Sequence, residues 1–435
     1  MSLFSRLFRS RTATATILGW SYRIFQIVFQ ILSVRLIIEL LGTSQYAAVV
    51  LISGLMPWIS NFEFGISYSL MNRYSEIQAL DRSTAGLKFF GLAAYAILTV
   101  VGIVVVTIVS PLVAPSFLKA VDLSDRSGTF AVATYVMAFV ATGMIGTRLL
   151  FAQDRAGFSY FLNIVAILAS GGAIALMYCG ILPISVLSVL VATFLPIGLT
   201  GAIGIASAAK GWDAKTLTRA DVTAVVGKAV QFLVLVIITG GVVQIDTFII
   251  SQKLNSHDIS TYGIFTRIFS AINVMINTPL SVIWPKISAL AIKKDIKAIR
   301  KIINIYVISS TGILIVIGLG VSVFWVFIIR IMAPGQSIKP PSGFIFALTA
   351  LQILIFFNGA FLTALQSMGA IKFLLIMTPM QAVISAVCQI FLVDHFGMVG
   401  ITGGVIASYL ALPIWLVPLY FARKTRTWTV ADQPV

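Results

Sequence analysis

Residues 91–110 read GLAAYAILTVVGIVVVTIVS, which is twenty residues without one charged side chain. A helix rises about 1.5 Å per residue, so a segment of this length spans about 30 Å, the thickness of the hydrocarbon core of a bilayer. This stretch therefore predicts a membrane-spanning helix.

Eleven further windows of the same character surround it. Of the 435 residues, 59% are apolar and only 10% are charged, which leaves too little polar surface to cover soluble domains. The sequence predicts an all-α membrane protein with about twelve transmembrane helices. The windows are 13–40, 44–72, 86–113, 128–152, 157–180, 183–209, 224–252, 259–292, 303–332, 342–368, 371–394 and 397–421.

The distribution of cations predicts the topology. With the N-terminus inside, the inner segments hold 22 of the 30 Lys and Arg residues and the outer segments hold 5. Because an excess of cations marks the cytoplasmic side, both termini are predicted to be cytoplasmic. The net charge of +16 is thus assigned to topology rather than to nucleic-acid binding, since the cations lie in short loops.

The charged segment 210–223 divides the chain into halves of six windows each. The predicted domains are an N-terminal lobe over 1–209, a cytoplasmic linker over 210–223, a C-terminal lobe over 224–421 and a cytoplasmic tail over 422–435. Because six is even, both halves enter the membrane in the same direction. Any repeat would therefore be parallel, related by a pseudo-two-fold axis along the membrane normal.

The sequence offers little material for catalysis. The two histidines, His257 and His395, fall at predicted outer loops, and Cys179 and Cys388 have no metal-ligand neighbours. The chain contains no nucleotide-binding GxxxxGK[ST] loop. We therefore expect a transporter, with no catalytic residues, no metal and no cofactor, rather than an enzyme.

Six charged residues are assigned to the membrane interior rather than to a loop segment. Helix spacing and depth suggest three ion pairs. Arg35 and Glu39 are four residues apart on one helix, and in each of the two remaining pairs both residues lie at a similar depth in the membrane. A buried arginine costs about 2.5–3.5 kcal/mol on insertion scales, so each one needs protein, water or a ligand as a partner. The other two pairs are Arg23 with Glu63, and Asp246 with Arg267.

Arg23 and Arg267 allow a second interpretation, in which they face a cavity and bind an anionic ligand. A guanidinium makes two parallel bonds to phosphate oxygens and stays protonated when buried, so a diphosphate suits these residues. Glu63 and Asp246 are then charge partners that tune the arginines, or sites for a coupling ion. The residues alone leave the structural and the ligand-binding interpretations open.

Several short motifs add a resemblance. The first is Leu41–Gly42–Thr43–Ser44–Gln45–Tyr46, followed by Asn61–Phe62–Glu63–Phe64–Gly65 and Asn72–Arg73–Tyr74. In this order they resemble the opening of polysaccharide-export flippases, the Wzx-type members of the multidrug/oligosaccharidyl-lipid/polysaccharide (MOP) superfamily. Ala47 stands where glycine is common in that family, and Glu63 where aspartate is commoner. Further matches are Phe151–Ala152–Gln153–Asp154–Arg155, Asp246, Tyr262 with Arg267, and Trp284–Pro285–Lys286–Ile287–Ser288.

The resemblance implies a two-lobed carrier of the bacterial inner membrane. Its expected cargo is an undecaprenyl-diphosphate-linked oligosaccharide, moved from the cytoplasmic to the periplasmic leaflet by alternating access for O-antigen or capsular polysaccharide synthesis. Arg23 and Arg267 match the general positions of cavity cations in such flippases. The implied partners are membrane lipid, a Na⁺ or H⁺ coupling ion, a polymerase and glycosyltransferases.

Three other functions remain as alternatives. A cation-coupled exporter of small organic cations, as in the drug-extruding branch of the superfamily, is compatible with the balanced intramembrane charge. A major-facilitator sugar carrier is less well supported, because Asp81–Arg82 lacks the glycine expected at Ile77. An integral-membrane polysaccharide polymerase or glycosyltransferase would need a large outer loop or an acidic metal motif, and the sequence contains neither.

Overall fold

The computed structural model describes residues 11–123, 125–292, 295–336, 338–367 and 371–431, and these ranges contain helices and turns but no strand. Two short 3₁₀ turns, Ser60–Glu63 and Ala214–Thr216, accompany the α-helices. The helices are α1 (Arg11–Ser53), α2 (Met56–Ile59), α3 (Ile66–Ala79), α4 (Ala85–Phe117), α5 (Arg126–Ala152), α6 (Ala156–Tyr178), α7 (Val186–Ala208), α8 (Arg219–Lys253), α9 (Ser256–Ile292), α10 (Ile296–Met332), α11 (Phe344–Ser367), α12 (Ile371–Ala411) and α13 (Pro413–Ala431).

Most of the predicted spans coincide with these helices. Among the described residues, nine helical stretches are long and apolar enough to cross a membrane. Two of them, Ile17–Ile59 and Ile376–Arg426, are 43 and 51 residues long, and each overlaps two of the predicted windows. The all-helical membrane fold expected from hydropathy is therefore confirmed.

Both of these long stretches are interrupted by a glycine. Gly42 in α1 has φ 76° and ψ 169°, and Gly397 in α12 has φ 54° and ψ −133°. Residues with a side chain rarely adopt such angles, whereas glycine does so at little cost. These glycines separate the first predicted span from the second, and the eleventh from the twelfth.

The second predicted span is not one continuous helix. After α1 ends at Ser53, the chain forms α2 and the Ser60–Glu63 turn before α3 begins at Ile66. Phe64 and Gly65 both have positive φ, 52° and 70°. The acidic-aromatic-glycine motif therefore forms a break inside the span, and Glu63 lies at that break rather than on the face of a regular helix.

Small residues allow α5 and α7 to approach closely. Gly143 on α5 faces Gly201 on α7, where an added Cβ would lie only 3.0 Å from the Gly201 Cα. An added Cβ at Gly146 would overlap the backbone nitrogen of Ile205. Close packing of this kind replaces the hydrophobic driving force that water supplies in soluble proteins.

We expect Gly146→Ala to destabilise the fold by about 1–3 kcal/mol, because the helices must separate to accept the methyl group. Thermal unfolding of the purified protein in detergent measures this loss. Gly172→Ala is the matched control, since a Cβ at Gly172 on α6 meets nothing within 4 Å. Equal melting temperatures for the two variants would contradict the close α5–α7 contact.

The contacts divide the chain into two compact units, Met1–Gly240 and Gly241–Val435, so the division falls within α8. The predicted lobe boundaries at 209 and 224 lie before this point, because the segment 210–223 packs on the first unit. The Asp213 backbone N–H donates to the Ala85 carbonyl at 3.2 Å, and the Trp212 ring lies 5.3 Å from the Phe89 ring. The segment therefore packs on the first unit.

The second unit has its own apolar core. Side chains of all five helices from α9 to α13 contribute to it, among them Ile303, Leu314, Phe356 and Val417. The Tyr306 hydroxyl donates to the Ile276 carbonyl at 3.2 Å, which links α10 to α9. Each unit therefore positions its own charged residues.

Candidate functional site

Arg23 lies in α1 and is partly buried. Its Nη1 donates to Gln26 Oε1 at 3.3 Å, and its guanidinium carbon lies 5.6 Å from the centre of the Tyr22 ring. Both partners are neutral and belong to the same helix. Among the described residues no ion pair joins Arg23 to Glu63, so the pair suggested by helix depth is not formed in the structure.

Glu63 instead lies on the side of α5, because the Ser60–Glu63 turn packs against that helix. The residue is 6% exposed, and its Oε2 atom accepts no hydrogen bond from the described residues. The nearby cation is Arg148, which is within electrostatic range of the carboxyl group. The break before α3 thus removes Glu63 from the helical position on which the Arg23 pairing depended.

Arg148 is a candidate residue that the sequence analysis missed, because it was counted as an inner-loop cation. It lies within α5, where its Nη2 donates to the Tyr68 hydroxyl at 2.5 Å and its guanidinium carbon lies 4.1 Å from the centre of the Tyr68 ring. Its Nε is buried and has no partner in the described ranges. The only sequence signal was its position four residues inside the predicted end of the fourth span.

Arg35 and Glu39 form the ion pair that their spacing predicts. Arg35 Nε lies 2.8 Å from Glu39 Oε1, and the side chains are 48% and 21% exposed. An exposed pair at this spacing contributes only a few tenths of a kcal/mol, about 0.3–0.5 kcal/mol. We therefore assign these residues a structural role.

In the second unit, Asp246 pairs with uncharged groups instead of Arg267. Its Oδ2 accepts from the Tyr262 hydroxyl at 3.2 Å, and its Oδ1 accepts from the Thr247 N–H at 2.7 Å. The contact with Tyr262 joins α8 to α9. The predicted Asp246–Arg267 pair is not formed.

Arg267 is partly buried in α9, eleven residues after the helix begins at Ser256. In the part of the chain that the structure describes, it makes no hydrogen bond and no ion pair with another residue. Its five N–H donors are therefore available to a ligand.

A further charged cluster, at the predicted cytoplasmic end of the first unit, joins α3 to the start of α8. Arg73 Nη2 lies 2.7 Å from Asp221 Oδ1, and Arg73 Nη1 lies 3.0 Å from Glu76 Oε2. Lys228 Nζ lies 2.6 Å from Glu76 Oε1. Asp221 is 5% exposed, so this carboxylate depends on its partners.

Asp221 is a second residue missed from the sequence, although it carries a recognisable signal. Thr218 and Asp221 have the spacing of a helix N-terminal capping box. The Asp221 N–H donates to Thr218 Oγ1 at 3.2 Å, and the Thr218 hydroxyl donates to Asp221 Oδ2 at 2.6 Å. These bonds fix the first turn of α8.

The Arg73–Asp221 contact predicts a pH dependence. Burial alone would raise the pKa of Asp221, but hydrogen bonds from Thr218 and Arg73 outweigh it and hold that pKa below its usual 3.8. Because the pKa of Asp221 falls on folding, the ionised carboxylate stabilises the folded state. This stabilisation is complete well above pH 3.8 and is lost as the pH falls through the lowered pKa of the folded state. We expect the melting temperatures of the wild type and Asp221→Asn to differ at pH 6–7 and to converge once the pH falls below the lowered pKa. A difference that persists unchanged at the lowest pH would contradict this.

Curated relatives match nearly the whole chain. One, named "Putative O-antigen export protein", from Yersinia pseudotuberculosis, is 26% identical over 95% of this chain and 96% of its own length. Another, named "Putative O-antigen transporter", from Salmonella typhi, is 28% identical over 94% of this chain and 95% of its own. No protein-family model matches the sequence.

Solved structures share the fold. The inward-facing conformation of a multidrug resistance MATE family transporter of the MOP superfamily superposes with a TM-score of 0.76 at 13% identity, covering 96% of this chain and 99% of the other. The lipid II flippase MurJ, in an inward closed conformation, superposes with a TM-score of 0.70 at 12% identity, covering 97% and 93%. The chain is therefore a multi-pass transporter of the bacterial inner membrane rather than an enzyme. Its similarity to relatives named for O-antigen export or transport, and the fold that it shares with a MATE family transporter and a lipid II flippase, confirm the resemblance seen in the sequence.

Proposed function

We propose that the protein moves an undecaprenyl-diphosphate-linked oligosaccharide from the cytoplasmic to the periplasmic leaflet, for O-antigen or capsular polysaccharide synthesis. The printed names of both relatives refer to O-antigen export or transport, and each matches at least 94% of this chain. A shared fold with a lipid II flippase is compatible with a lipid-linked cargo.

Arg23 and Arg267 bind the diphosphate in this proposal. The observation that carries it is that neither guanidinium is paired with a carboxylate among the described residues. An arginine inside a membrane protein is costly unless something anionic reaches it, and a phosphate group suits its planar fork. Two unneutralised arginines in apolar helices therefore support an anionic cargo.

The proposed architecture is two six-helix lobes related by a parallel pseudo-two-fold axis, with both termini cytoplasmic. It is supported by the even number of predicted spans and by the cation distribution. Transport proceeds by alternating access, with the prenyl chain remaining in lipid.

Glu63 and Asp246 have secondary roles in the proposal. Glu63 modulates Arg148 rather than Arg23, and its unpartnered oxygen is a candidate site for a coupling H⁺ or Na⁺. Asp246 fixes Tyr262, five residues before Arg267, and thereby orients that part of α9. A polymerase and glycosyltransferases are the proposed partners in the pathway.

The proposal is tested with proteoliposomes that carry labelled undecaprenyl-diphosphate-linked oligosaccharide in the outer leaflet. We expect the protein to move the label beyond the reach of an impermeant glycosidase. The same vesicles are tested for uptake of a quaternary ammonium dye. Dye transport without movement of the glycan would instead support the exporter of small organic cations.

A further inference from the structure

A pocket of about 520 Å³ lies at the corner between α5 and α6, on the flank of the first unit. Asp154 and Arg155 form its polar part, and Leu18, Phe158 and Phe161 form its apolar part. None of these residues is a hydrogen-bond or ion-pair partner of Arg23, Glu63 or Arg148 among the described residues. The pocket is therefore a separate candidate binding site.

The two parts of the pocket match the two layers of a leaflet. The predicted topology places Asp154 and Arg155 at the cytoplasmic surface, where the fourth span ends. Phe161 lies six residues further along, which is about 9 Å deeper along the helix. The headgroup layer of a leaflet is only about 5–8 Å thick. A lipid headgroup at the polar part would thus place its acyl chains against Phe161 and Leu18.

Arg155 is held in place for such a ligand. Its Nη1 and Nη2 donate to the carbonyl and hydroxyl oxygens of Ser207 at 3.1 and 2.8 Å, and its guanidinium carbon lies 5.3 Å from the centre of the Phe158 ring. Two of the five N–H donors are thereby used, and the remaining ones are available to a phosphate. A fixed guanidinium loses little entropy on binding.

Asp154 supplies the opposite charge beside it. Its φ is 57°, and the corner is closed by the Arg155 N–H, which donates to the Leu150 carbonyl at 2.9 Å. Asp and Asn tolerate this left-handed conformation better than most residues. Within the described ranges the Asp154 carboxylate pairs with no cation.

From this juxtaposition we infer that the pocket binds a zwitterionic phospholipid headgroup, with its phosphodiester on Arg155 and its primary ammonium on Asp154. Phosphatidylethanolamine satisfies both charges. An anionic glycerol headgroup would leave Asp154 unpaired, and the diphosphate of the proposed cargo would bring two or more negative charges against it. The inference is independent of the cargo that the protein carries.

The test uses the full-length protein in nanodiscs assembled from a mixture of phosphatidylethanolamine, phosphatidylcholine and phosphatidylglycerol, with the bound lipids counted by native mass spectrometry. We expect phosphatidylethanolamine to be retained about fivefold over phosphatidylcholine, whose quaternary ammonium cannot donate a hydrogen bond. Asp154→Asn keeps the backbone conformation and should reduce this preference to about one. Arg155→Gln should lower retention of all three lipids.

Asp81→Asn is the matched control, because Asp81 is also an aspartate with a left-handed backbone, φ 52°, and lies outside the pocket. It should retain the full preference. An unchanged preference in Asp154→Asn would overturn the inference, as would stronger retention of phosphatidylglycerol by the wild type. Displacement of phosphatidylethanolamine by undecaprenyl diphosphate would assign the pocket to the cargo instead.

Discussion

Reversing the charge at Arg267, in Arg267→Glu, is expected to abolish the surface polysaccharide while the protein remains at normal levels in the membrane. The structure gives Arg267 no partner among the described residues, so its removal should leave the fold intact. A charge-assisted hydrogen bond contributes about 1.5–3 kcal/mol, so losing the cation alone lowers cargo affinity about ten- to hundredfold. A glutamate adds repulsion of the diphosphate. Polysaccharide is measured on gels of whole-cell extracts, and Arg23→Glu should behave in the same way.

Two further variants make this result specific. Arg35→Glu introduces the same change into α1 at a residue that already pairs with Glu39, and it should leave surface polysaccharide near normal. Arg267→Lys keeps the positive charge but loses the planar guanidinium that can make two parallel bonds to phosphate. We therefore expect an intermediate amount of surface polysaccharide. Normal polysaccharide in Arg267→Glu would remove this residue from the proposed site.

The second large effect is expected at the cytoplasmic cluster. Arg73→Glu places a third carboxylate beside Glu76 and the buried Asp221, which lose their shared cation. Breaking a buried ion pair in this way costs about 3 kcal/mol or more. We expect a marked fall in melting temperature and in the amount of folded protein.

The exposed Arg219 provides the control. Arg219→Glu makes the same charge reversal two residues from Asp221, but Arg219 forms no ion pair in the described part of the chain. Its stability should stay close to that of the wild type. Combining Arg73→Glu with Asp221→Arg restores opposite charges and should recover part of the loss. A stable Arg73→Glu single variant would show that the contact contributes little.

Hydropathy predicted the helices because a long apolar run in lipid has few alternatives to a helix. The window 86–113 corresponds to Ala85–Phe117, and 157–180 corresponds to Ala156–Tyr178. These agreements required no knowledge of tertiary contacts. The same reasoning predicted the local Arg35–Glu39 pair, which depends only on helical spacing.

Hydropathy and helical spacing do not predict contacts between residues that are far apart in the sequence. The Arg23–Glu63 pairing assumed a regular second helix, but Phe64 and Gly65 interrupt it and turn Glu63 toward α5. Arg148 meets Tyr68, which is 80 residues away in sequence, and Arg73 meets Asp221 across 148 residues. No local pattern encodes such partners, so topology counting treated Arg148 and Arg73 as ordinary loop cations.

The position of α8 indicates where the polypeptide could be cut into two fragments. Its first turns carry Asp221 and Lys228, which bind Arg73 and Glu76, whereas its later turns belong to the second compact unit. Two polypeptides produced by a break at residue 217 would therefore carry complementary charges at their junction. Such fragments, synthesised together in one cell, should recognise one another and reassemble without a covalent link.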